Sequence, residues 1–463
     1  MPLSDAEDAI FRKLAAESDL LAREDERMLR YYEGRQRLEH IGLAVPPELR
    51  RFETVVNWPR VVVDTIEHRQ DVKAFLLPGQ ETEAASIREG WEANNLHADL
   101  SLLNKDRLIY GRAFMCVGTN EEDPEHPLIT VESPREMTAS VNPRTRRLDA
   151  VLRRYGWDED NPNGRDDRVP RDRFRTLYLP DSTIWLERAR NGRWVVTDRD
   201  DHRLGRVPVV MFLNRRRTGY WYGRSEMADI IPLTDAVART MTNLQLAGET
   251  LAVPQRYVLG MSKGDFVDKD GKPIPAWEAY FGRLFATQKV DAKVGQLDGA
   301  DLRNFHETIG LYGRLASTLT GFPARYFGLH TANPAAEGAI RADENQMVKA
   351  IERQNSEVGV GLAWVMGLYE RFRTGEWMTG NPIRVEWHDP ATPTFAQRAD
   401  ALQKLAGGTP ILSREGAWDE LGWSQARKDR EREYFERESE DPYLARLSAK
   451  GTEDAGAEPA EVG

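Results

Sequence analysis

The segment between Asn333 and Gly375 constrains the fold most strongly, because it has the pattern of one unusually long amphipathic helix. Asn333 is a favourable N-cap, Pro334 suits the first helical turn, and Gly375 stands where such a helix would end. At about 1.5 Å per residue, the helix would extend for roughly 60 Å. Its apolar face is formed by Ile340, Met347, Ile351, Val358, Leu362, Val365, Tyr369 and Phe372. Three internal glycines predict a bend or a close approach by another element: Gly359, Gly361 and Gly367.

Two shorter helices precede the long one and enclose a different kind of segment. They are predicted at about 225–249 and 301–319. In the second, apolar residues recur at spacings of three and four, which is typical of a helix that packs against other helices. These residues are Leu302, Phe305, Ile309, Tyr312, Ala316 and Leu319. Between the helices, short β-rich runs and turn sequences predict a small β-containing subdomain over 253–300, with strands at 255–259 and 282–287.

The rest of the chain combines helices with a sheet. Eight short β-rich runs between Ala113 and Leu213, separated by turn sequences, predict a mostly antiparallel sheet. Earlier helices are predicted at 3–32, from Asn57 towards Phe75, at 81–93 and at 97–110. Later elements are a strand at 383–388 and helices at 394–405, 413–421 and 424–446. The sequence therefore predicts an α+β fold.

The sheet region is rich in arginine. Residues 142–217 contain 19 arginines, no lysine and 12 acidic residues, which gives a local charge of +7 (19 − 12). Within it, Arg215-Arg216-Arg217 is followed closely by Tyr220-Trp221-Tyr222. Basic residues beside aromatic ones can hold nucleic acid, and the same residue types are enriched in subunit contacts. A third interpretation is a solvated sheet face whose arginines pair with nearby carboxylates.

Composition and motifs favour a structural or binding role over catalysis. The sequence contains no phosphate-binding glycine loop, zinc-protease helix or nucleophile elbow, and its eight histidines have no ligand spacing. The segment 263–272 resembles a calcium loop only faintly and is interpreted as a hairpin turn. Cys116 lies in an apolar strand and is expected to be a buried, inert thiol. We therefore expect no enzyme activity, no metal site and no cofactor.

The sequence also predicts a protein that is made and assembled in the cytosol. Its N-terminus opens with acidic residues instead of a basic and apolar leader. Its longest apolar runs are far too short to span a bilayer, so no membrane association is expected. With a single cysteine the chain forms no intrachain disulfide, which fits a reducing compartment.

Four stretches, taken in order along the chain, resemble one known family. They are Asn57-Trp58-Pro59-Arg60-Val61-Val62-Val63-Asp64; Tyr222-Gly223-Arg224-Ser225-Glu226-Met227 followed by Ile231-Pro232-Leu233-Thr234-Asp235-Ala236; Thr320-Gly321-Phe322-Pro323 with Ala332–Ile340; and the stretch from Thr392 to Leu405, with an acidic tail beyond it. Together they resemble the portal proteins of tailed phages, in particular the siphophage type with a wing, stem, clip and crown. The third stretch departs from the family's usual Ser-Gly, because it reads Ala336-Glu337-Gly338.

The resemblance implies a portal fold with a helical stem, a long wing helix, an antiparallel β-sheet wing, a small β-containing clip and a helical crown. The implied parts are the wing at 1–224, the stem helices at 225–252 and 301–319, the clip at 253–300, the tunnel loop at 320–333, the long wing helix and strand at 334–389, the crown at 390–450 and a disordered acidic tail at 451–463.

The resemblance also implies a ring of about twelve copies at one capsid vertex. Double-stranded DNA would pass through the bore during packaging and ejection without sequence-specific contacts. A net charge of −11 would keep the bore weakly repelling, so that DNA slides. The expected partners are the terminase packaging motor, the head-to-tail adaptor protein, the major capsid protein and the scaffolding protein. Assembly would occur in the host cytoplasm, and the finished ring would reside in the virion.

Candidate contact residues follow from this placement. In the tunnel loop, the residues expected to touch the DNA backbone, or alternatively to pack and form ion pairs, are Arg325, Tyr326 and His330. In the clip, the residues expected to contact partners, or alternatively to form an ordinary hairpin surface, are Lys263, Lys269, Lys272, Trp277, Tyr280 and Phe281. The apolar residues of the second stem helix, from Leu302 to Leu319, would pack between neighbouring subunits.

Other classes of protein remain open at this point. Another virion structural protein or a minor capsid protein would share the composition but would not form a ring. A nucleic-acid-processing enzyme, such as a nuclease or a terminase subunit, would need a P-loop or a cluster of metal-binding carboxylates, and the sequence displays neither. A helical scaffold protein of the host is a further alternative.

Overall fold

The computed structural model describes most of the chain in two compact units, Met1–Pro390 and Ala391–Gly463. The described residues are 2–37, 54–77, 83–156, 173–251, 256–259, 293–296, 302–329, 337–378, 383–391, 395–406, 410–423 and 425–440. Long helices and antiparallel sheets occur together in the first unit, so the predicted α+β class is confirmed.

Four helices precede the two larger sheets in the described part of the first unit. They are α1 (Asp5–Glu33), α2 (Trp58–Glu67), α3 (Ala85–Ala93) and α4 (Leu96–Tyr110). α1 begins with a capping box, in which the side chains of Ser4 and Glu7 each accept a hydrogen bond from the other's backbone N–H. α2 begins where the Asn57 side chain accepts a hydrogen bond from the backbone N–H of Arg60. All four helices were predicted, although the end of α2 was not.

The prediction that the helix from Asn57 continues towards Phe75 is wrong. The helix ends at Glu67, and the strand β1 (Val72–Leu76) follows. In this strand Phe75 is buried against Trp91, with ring centroids 5.0 Å apart, and stands opposite Val385 of a strand at the far end of the unit. A partner so distant in the sequence leaves no local periodic signal, so the apolar residues before Phe75 resemble the continuation of a helix.

The antiparallel strands predicted between Ala113 and Leu213 are present, and they form two sheets where one sheet region was predicted. Their strands are β2 (Arg112–Gly118), β3 (Leu128–Glu132), β4 (Met137–Val141), β5 (Leu148–Tyr155), β6 (Phe174–Tyr178), β7 (Thr183–Arg188), β8 (Trp194–Asp200) and β9 (Val209–Leu213). The strands β3, β2 and β9 form a three-stranded sheet in that order, and β4 to β8 form a five-stranded meander. α1 packs Phe11 and Leu14 against Leu152 and Ile184 of the meander.

The three helices predicted to dominate the chain are present. They are α5 (Ile231–Leu251), α6 (Arg303–Thr320) and α7 (Glu337–Thr374). A short 3-10 helix, Glu226–Asp229, precedes α5, so the helix predicted from about 225 begins later. α7 has 38 residues, which corresponds to about 57 Å, and it ends before Gly375 as predicted. The expected capping residues Asn333 and Pro334 lie outside the described residues.

Two short strand pairs are also present among the described residues of the first unit. β10 (Arg256–Leu259) pairs antiparallel with β11 (Lys293–Gln296), and β12 (Arg384–Trp387) pairs with β1. The strands predicted at 255–259 and 383–388 are thus confirmed, whereas β11 was not predicted. The strand predicted at 282–287 and the turn predicted at 263–272 lie outside the described residues.

Two of the four apolar cores in the described part of the first unit include residues of α7. One lies where α3, α4 and the C-terminal half of α7 pack on the three-stranded sheet, and it includes Trp91, Leu103, Met115 and Leu362. The other lies among α2, α5, α6 and the N-terminal half of α7, and it includes Val63, Ile230, Ala316 and Met347. α7 contributes to both cores, which accounts for a helix of this length with a continuous apolar face.

The second unit contains the three short helices predicted for it. They are α8 (Phe395–Ala406), α9 (Arg414–Glu420) and α10 (Gln425–Glu440). Ser413 caps α9 by accepting a hydrogen bond from the backbone N–H of Gly416 at 3.1 Å. Trp418 stacks on Trp423 and on Phe435, with ring centroids 5.8 Å and 5.9 Å apart. The last helix was predicted to reach 446, and residues from 441 onward, including the acidic tail, lie outside the described residues.

Candidate functional site

The Gly223-Arg224-Ser225 motif lies where two backbone segments cross. A Cβ at Gly223 would overlap with the carbonyl oxygen of Gly111, which itself adopts a left-handed φ of 83°. Asn214 connects the two segments by hydrogen bonds. Its backbone N–H donates to the Gly111 carbonyl at 2.8 Å, and its side chain donates to the Arg224 carbonyl at 2.9 Å. Ser225 then caps the 3-10 helix before α5. The motif is therefore a joint between the three-stranded sheet and α5.

The structure separates the three consecutive arginines that follow β9. Arg215 forms ion pairs with Glu226, at 2.9 Å, and with Asp229. Arg216 and Arg217 are exposed, and no carboxylate of the described residues pairs with them. Arg215 is thus a structural residue, whereas its two neighbours present their charges at the surface.

Other arginines of the sheet region support the interpretation of a sheet face neutralised by its own carboxylates. Arg153 pairs with Glu132 at 2.7 Å, and Arg154 pairs with Asp19 of α1 at 2.6 Å. Further along, Arg199 pairs with Glu7. The local charge of +7 is therefore balanced in part by residues that lie outside 142–217 in the sequence.

The helices α5 and α6 pack side by side, and α6 divides its apolar residues between two faces. Ile309, Tyr312 and Ala316 face the core together with Val237 and Met241 of α5. Another face carries three leucines at four-residue intervals that are 49%, 43% and 54% exposed: Leu311, Leu315 and Leu319, here called the leucine face. Exposed apolar residues in line along a helix mark an interaction surface.

The predicted stem stripe is only partly buried within one chain. Ala316 is buried, and Leu302, Phe305, Ile309 and Tyr312 are half-buried. Leu319 belongs to the leucine face, because it follows Leu315 by four residues and so lies on the same side of the helix. Packing of this stripe between subunits stays a prediction.

The segment after α6 brings together two of the three predicted DNA-contacting residues. It contains a short 3-10 helix, Ala324–Phe327. Arg325 pairs with Glu344 and, at 3.3 Å, with Asp343 of α7. The hydroxyl of Tyr326 accepts a hydrogen bond from Arg69 at 3.0 Å. These contacts match the packing and ion-pairing alternative, and DNA contact stays a prediction.

The remaining contact candidates lie outside the described residues. They are His330 of the tunnel loop and Lys263, Lys269, Lys272, Trp277, Tyr280 and Phe281 of the clip. Their contacts with DNA or partners stay predictions.

The described part of the chain has neither a helix long and apolar enough to cross a membrane nor a convergent group of three or more side chains suited to a metal ion. Cys116 is buried, and burial raises the pKa of its thiol, as expected for an inert cysteine.

A cavity of about 460 Å³ between β9 and α7 was not predicted. The apolar residues that line it, here called the floor, include Phe212 of β9 and Val358, Gly361 and Trp364 of α7. The charged residues that line it, here called the rim, are five arginines, Arg146, Arg147, Arg206, Arg216 and Arg217, and one acidic residue, Glu357. We call this cavity the arginine pocket. The run Arg215-Arg216-Arg217 in the sequence indicated part of the rim. No local pattern indicated that residues of α7 form much of the floor.

Comparison with known proteins identifies the class of molecule that carries these surfaces. The chain matches the family model described as "Phage portal protein, SPP1 Gp6-like" over residues 12–442. It is 34% identical to the portal protein of Mycobacterium phage D29 and 32% identical to that of Mycobacterium phage L5, in each case over 421 residues that cover 88% of this chain and 84% of the relative. A solved chain from the neck of an empty GTA particle has a TM-score of 0.47 and 16% identity, over 82% of this chain and 93% of that chain.

The chain is therefore a structural component of a phage virion. It belongs to the phage portal protein family, of the SPP1 Gp6-like type, as the four sequence stretches indicated.

Proposed function

We propose that copies of this chain form a closed ring of about twelve subunits at one capsid vertex, through which double-stranded DNA is packaged and ejected. The observation that supports this most directly is the leucine face of α6, with Leu311, Leu315 and Leu319 all exposed. Removing one leucine side chain from water stabilises a contact by about 1.5–3 kcal/mol. A ring repeats that contact at every interface, so every subunit would bury its leucine face.

A closed ring needs two different complementary faces on each subunit. The leucine face supplies the first. We infer that the second lies on α5 of the neighbouring subunit, where Leu244 is only half-buried within its own chain. Helices in such an interface would alternate around the bore as the proposed stem.

DNA would touch the bore through its phosphate backbone, without base-specific contacts. A net charge of −11 disfavours a tight grip on the duplex, which suits a channel through which DNA moves. The tunnel loop at 320–333 is the proposed contact, through Arg325, Tyr326 and His330. For Arg325, a phosphate would replace the carboxylates of Asp343 and Glu344 that bind it in the single chain.

The remaining parts follow the family assignment. We propose the wing at 1–224, the clip at 253–300, the long wing helix and strand at 334–389, the crown at 390–450 and an acidic tail at 451–463. The clip would bind the terminase motor and later the head-to-tail adaptor, and the outer surface would meet capsid and scaffolding protein. We further propose that the ring assembles in the host cytoplasm and acts as a structural part without catalysis or cofactor.

The leucine face can be tested by replacing its leucines. Leu311→Gln/Leu315→Gln should lower the fraction of chains in rings, measured by native mass spectrometry and electron microscopy, because both interface leucines become polar. Leu20→Gln is the matched control, since Leu20 is also strongly exposed but lies on α1. Normal ring formation by the double variant would show that the leucine face is not part of the interface. If the unaltered chain stays monomeric, the result would indicate another virion structural protein that forms no ring.

A further inference from the structure

The arginine pocket has an excess of positive charge that the described chain does not neutralise. None of its five arginines forms an ion pair with a carboxylate of the described residues. Other arginines in the same region do so, as Arg112 does with Asp25 and Arg215 with Glu226. Five cations around a cavity with one acidic residue indicate a site for an anionic group.

In the arginine pocket, the charged form of the Arg206 side chain is disfavoured. Its guanidinium lies over the indole of Trp364, 3.6 Å from the ring centroid, and is half-buried. Burial and the neighbouring charge of Arg147 lower the pKa of Arg206 to about 10. A bound anion would offset both effects, because it supplies the opposite charge that the pocket lacks.

The floor of the pocket discriminates between classes of partner. The apolar surface that a partner can reach comes from Val360, which is exposed, and Trp364, which is half-buried, whereas Phe212 and Val358 are buried. A DNA duplex offers phosphates to the rim but no apolar group that would fill the floor. A protein segment with carboxylates beside an apolar side chain satisfies both parts of the pocket. The pocket therefore favours an acidic protein segment.

The same chain presents a segment of this chemistry at residues 119–128, between β2 and β3, here called the acidic turn. Glu121, Glu122 and Glu125 are exposed, and no cation of the described residues pairs with them. Leu128, at the end of the turn, is also exposed. The acidic turn does not line the arginine pocket of its own chain.

Hydrogen bonds hold the acidic turn in a fixed shape. The side-chain oxygen of Asn120 accepts from the backbone N–H groups of Glu122 and Asp123 at 3.1 Å and 3.3 Å. The Asn94 side chain donates to the Pro127 carbonyl at 3.1 Å. A segment ordered before binding loses little conformational entropy on docking.

We propose that the arginine pocket of one copy receives the acidic turn of a neighbouring copy. Leu128 enters the apolar floor, and Glu121, Glu122 and Glu125 meet the arginines of the rim. The inference rests on the proposed ring, in which neighbouring copies join through two different faces. It adds a charged contact on the sheet region to the apolar contact on α6.

A charge swap in the full chain tests the contact. Arg216→Glu/Arg217→Glu and Glu121→Arg/Glu122→Arg should each raise the concentration of half-assembly by about tenfold or more, because each variant sets like charges against each other. The two changes combined should return it to within about threefold of the parent chain. Arg190→Glu/Arg193→Glu is the matched control, with the same charge change at two exposed arginines in the turn between β7 and β8.

The outcomes separate the alternatives. Parent-like assembly by both reversed variants overturns the proposal, and so does failure of both to assemble without recovery in the combination. Parent-like rings of Arg216→Glu/Arg217→Glu that no longer bind a DNA duplex would assign the pocket to DNA instead. A parent chain that never forms rings contradicts the proposed ring itself, which is seen before any variant is compared.

Cross-linking gives a second readout that does not depend on charge reversal. A chain with Arg217→Cys and Glu122→Cys, treated with a bismaleimide, should give a ladder of covalent oligomers on a denaturing gel. The native Cys116 is buried and should not react. Arg190→Cys in place of Arg217→Cys should give no ladder, and equal ladders in both would overturn the contact.

Discussion

Phe212 of β9 and Gly361 of α7 pack so closely that a Cβ on Gly361 would overlap with the Phe212 ring. The glycines inside the long helix predicted a bend or a close approach, and at Gly361 the reason is the approach of a strand side chain. Gly367, in the same helix, faces open space instead. The two glycines therefore have different environments, although no local sequence pattern distinguishes them.

Replacing these two glycines should change stability in opposite directions. Gly361→Ala should lower the free energy of unfolding by about 1–3 kcal/mol, because the core must shift to admit the methyl group. Gly367→Ala should raise it by about 0.5–1 kcal/mol, since alanine favours the helix and meets no neighbour. Thermal unfolding of both variants measures the difference. Equal effects would contradict the close packing of Phe212 on Gly361.

The buried ion pair of Arg112 and Asp25 predicts a large effect from a single change. The two groups form a two-pronged contact at 3.1 Å and 2.7 Å, and their side chains are 4% and 6% exposed. Asp25→Leu should destabilise the fold by about 3–5 kcal/mol, because it leaves a buried guanidinium without its partner. Asp25→Leu/Arg112→Met should cost less than the sum of the two single changes.

The exposed pair of Arg12 and Asp8 provides the control for that prediction. Its members are 77% and 38% exposed, so Asp8→Leu should change stability by about 1 kcal/mol or less. Denaturant unfolding of the variants measures both effects. A small decrease for Asp25→Leu, equal to that of Asp8→Leu, would contradict the structural role of the buried pair.

Asp106 predicts how stability depends on pH. Burial raises the pKa of its carboxyl to about 7, with a smaller contribution from the charge of Asp25. The folded chain therefore favours the protonated carboxyl, and its contribution to stability is lost as the pH rises from about 4 to about 7. Asp106→Asn should flatten the decline of the melting temperature between about pH 4 and pH 7.

Some slope should remain in that variant, because burial also raises the pKa of Asp25. Asp99→Asn, on the same helix, controls for the removal of one charge. A slope between about pH 4 and pH 7 that is the same in Asp106→Asn as in the parent would show that Asp106 does not titrate in this window.

Arg325 can be assigned to DNA or to helix packing by the salt dependence of binding. If Arg325 neutralises one phosphate, Arg325→Gln should reduce the slope of log affinity against log salt by about 0.9. Asp343→Asn is the matched control, because it removes an ion-pair partner of Arg325 and keeps the cation. An unchanged slope with a lower melting temperature would assign Arg325 to the packing of its segment on α7.

Local patterns predicted the elements whose signals are contained within one segment. Ser4 with Glu7 indicated the start of α1, and Gly375 indicated the end of α7. Where a distant partner decides the outcome, local patterns were insufficient. The strand that contains Phe75 pairs with a strand in which Val385 lies opposite it. The periodicity of the sequence near Phe75 gives no indication of that pairing.

The candidate site shows the same limit. The run Arg215-Arg216-Arg217 predicts a charged surface, but only the fold shows that Arg215 is neutralised by Glu226 while its neighbours border a cavity. The floor of that cavity includes Trp364 from α7, far along the chain. Charge in the sequence indicated a binding surface, and tertiary packing decided which arginines belong to it.

Electron microscopy of the purified full chain, with native mass spectrometry as a check, tests the central claim most directly. We predict closed rings of about twelve copies with a bore wide enough for a DNA duplex, in which the leucine faces are buried between neighbouring subunits. A compact monomer or dimer at every concentration and salt condition would contradict the proposed ring and the DNA channel together.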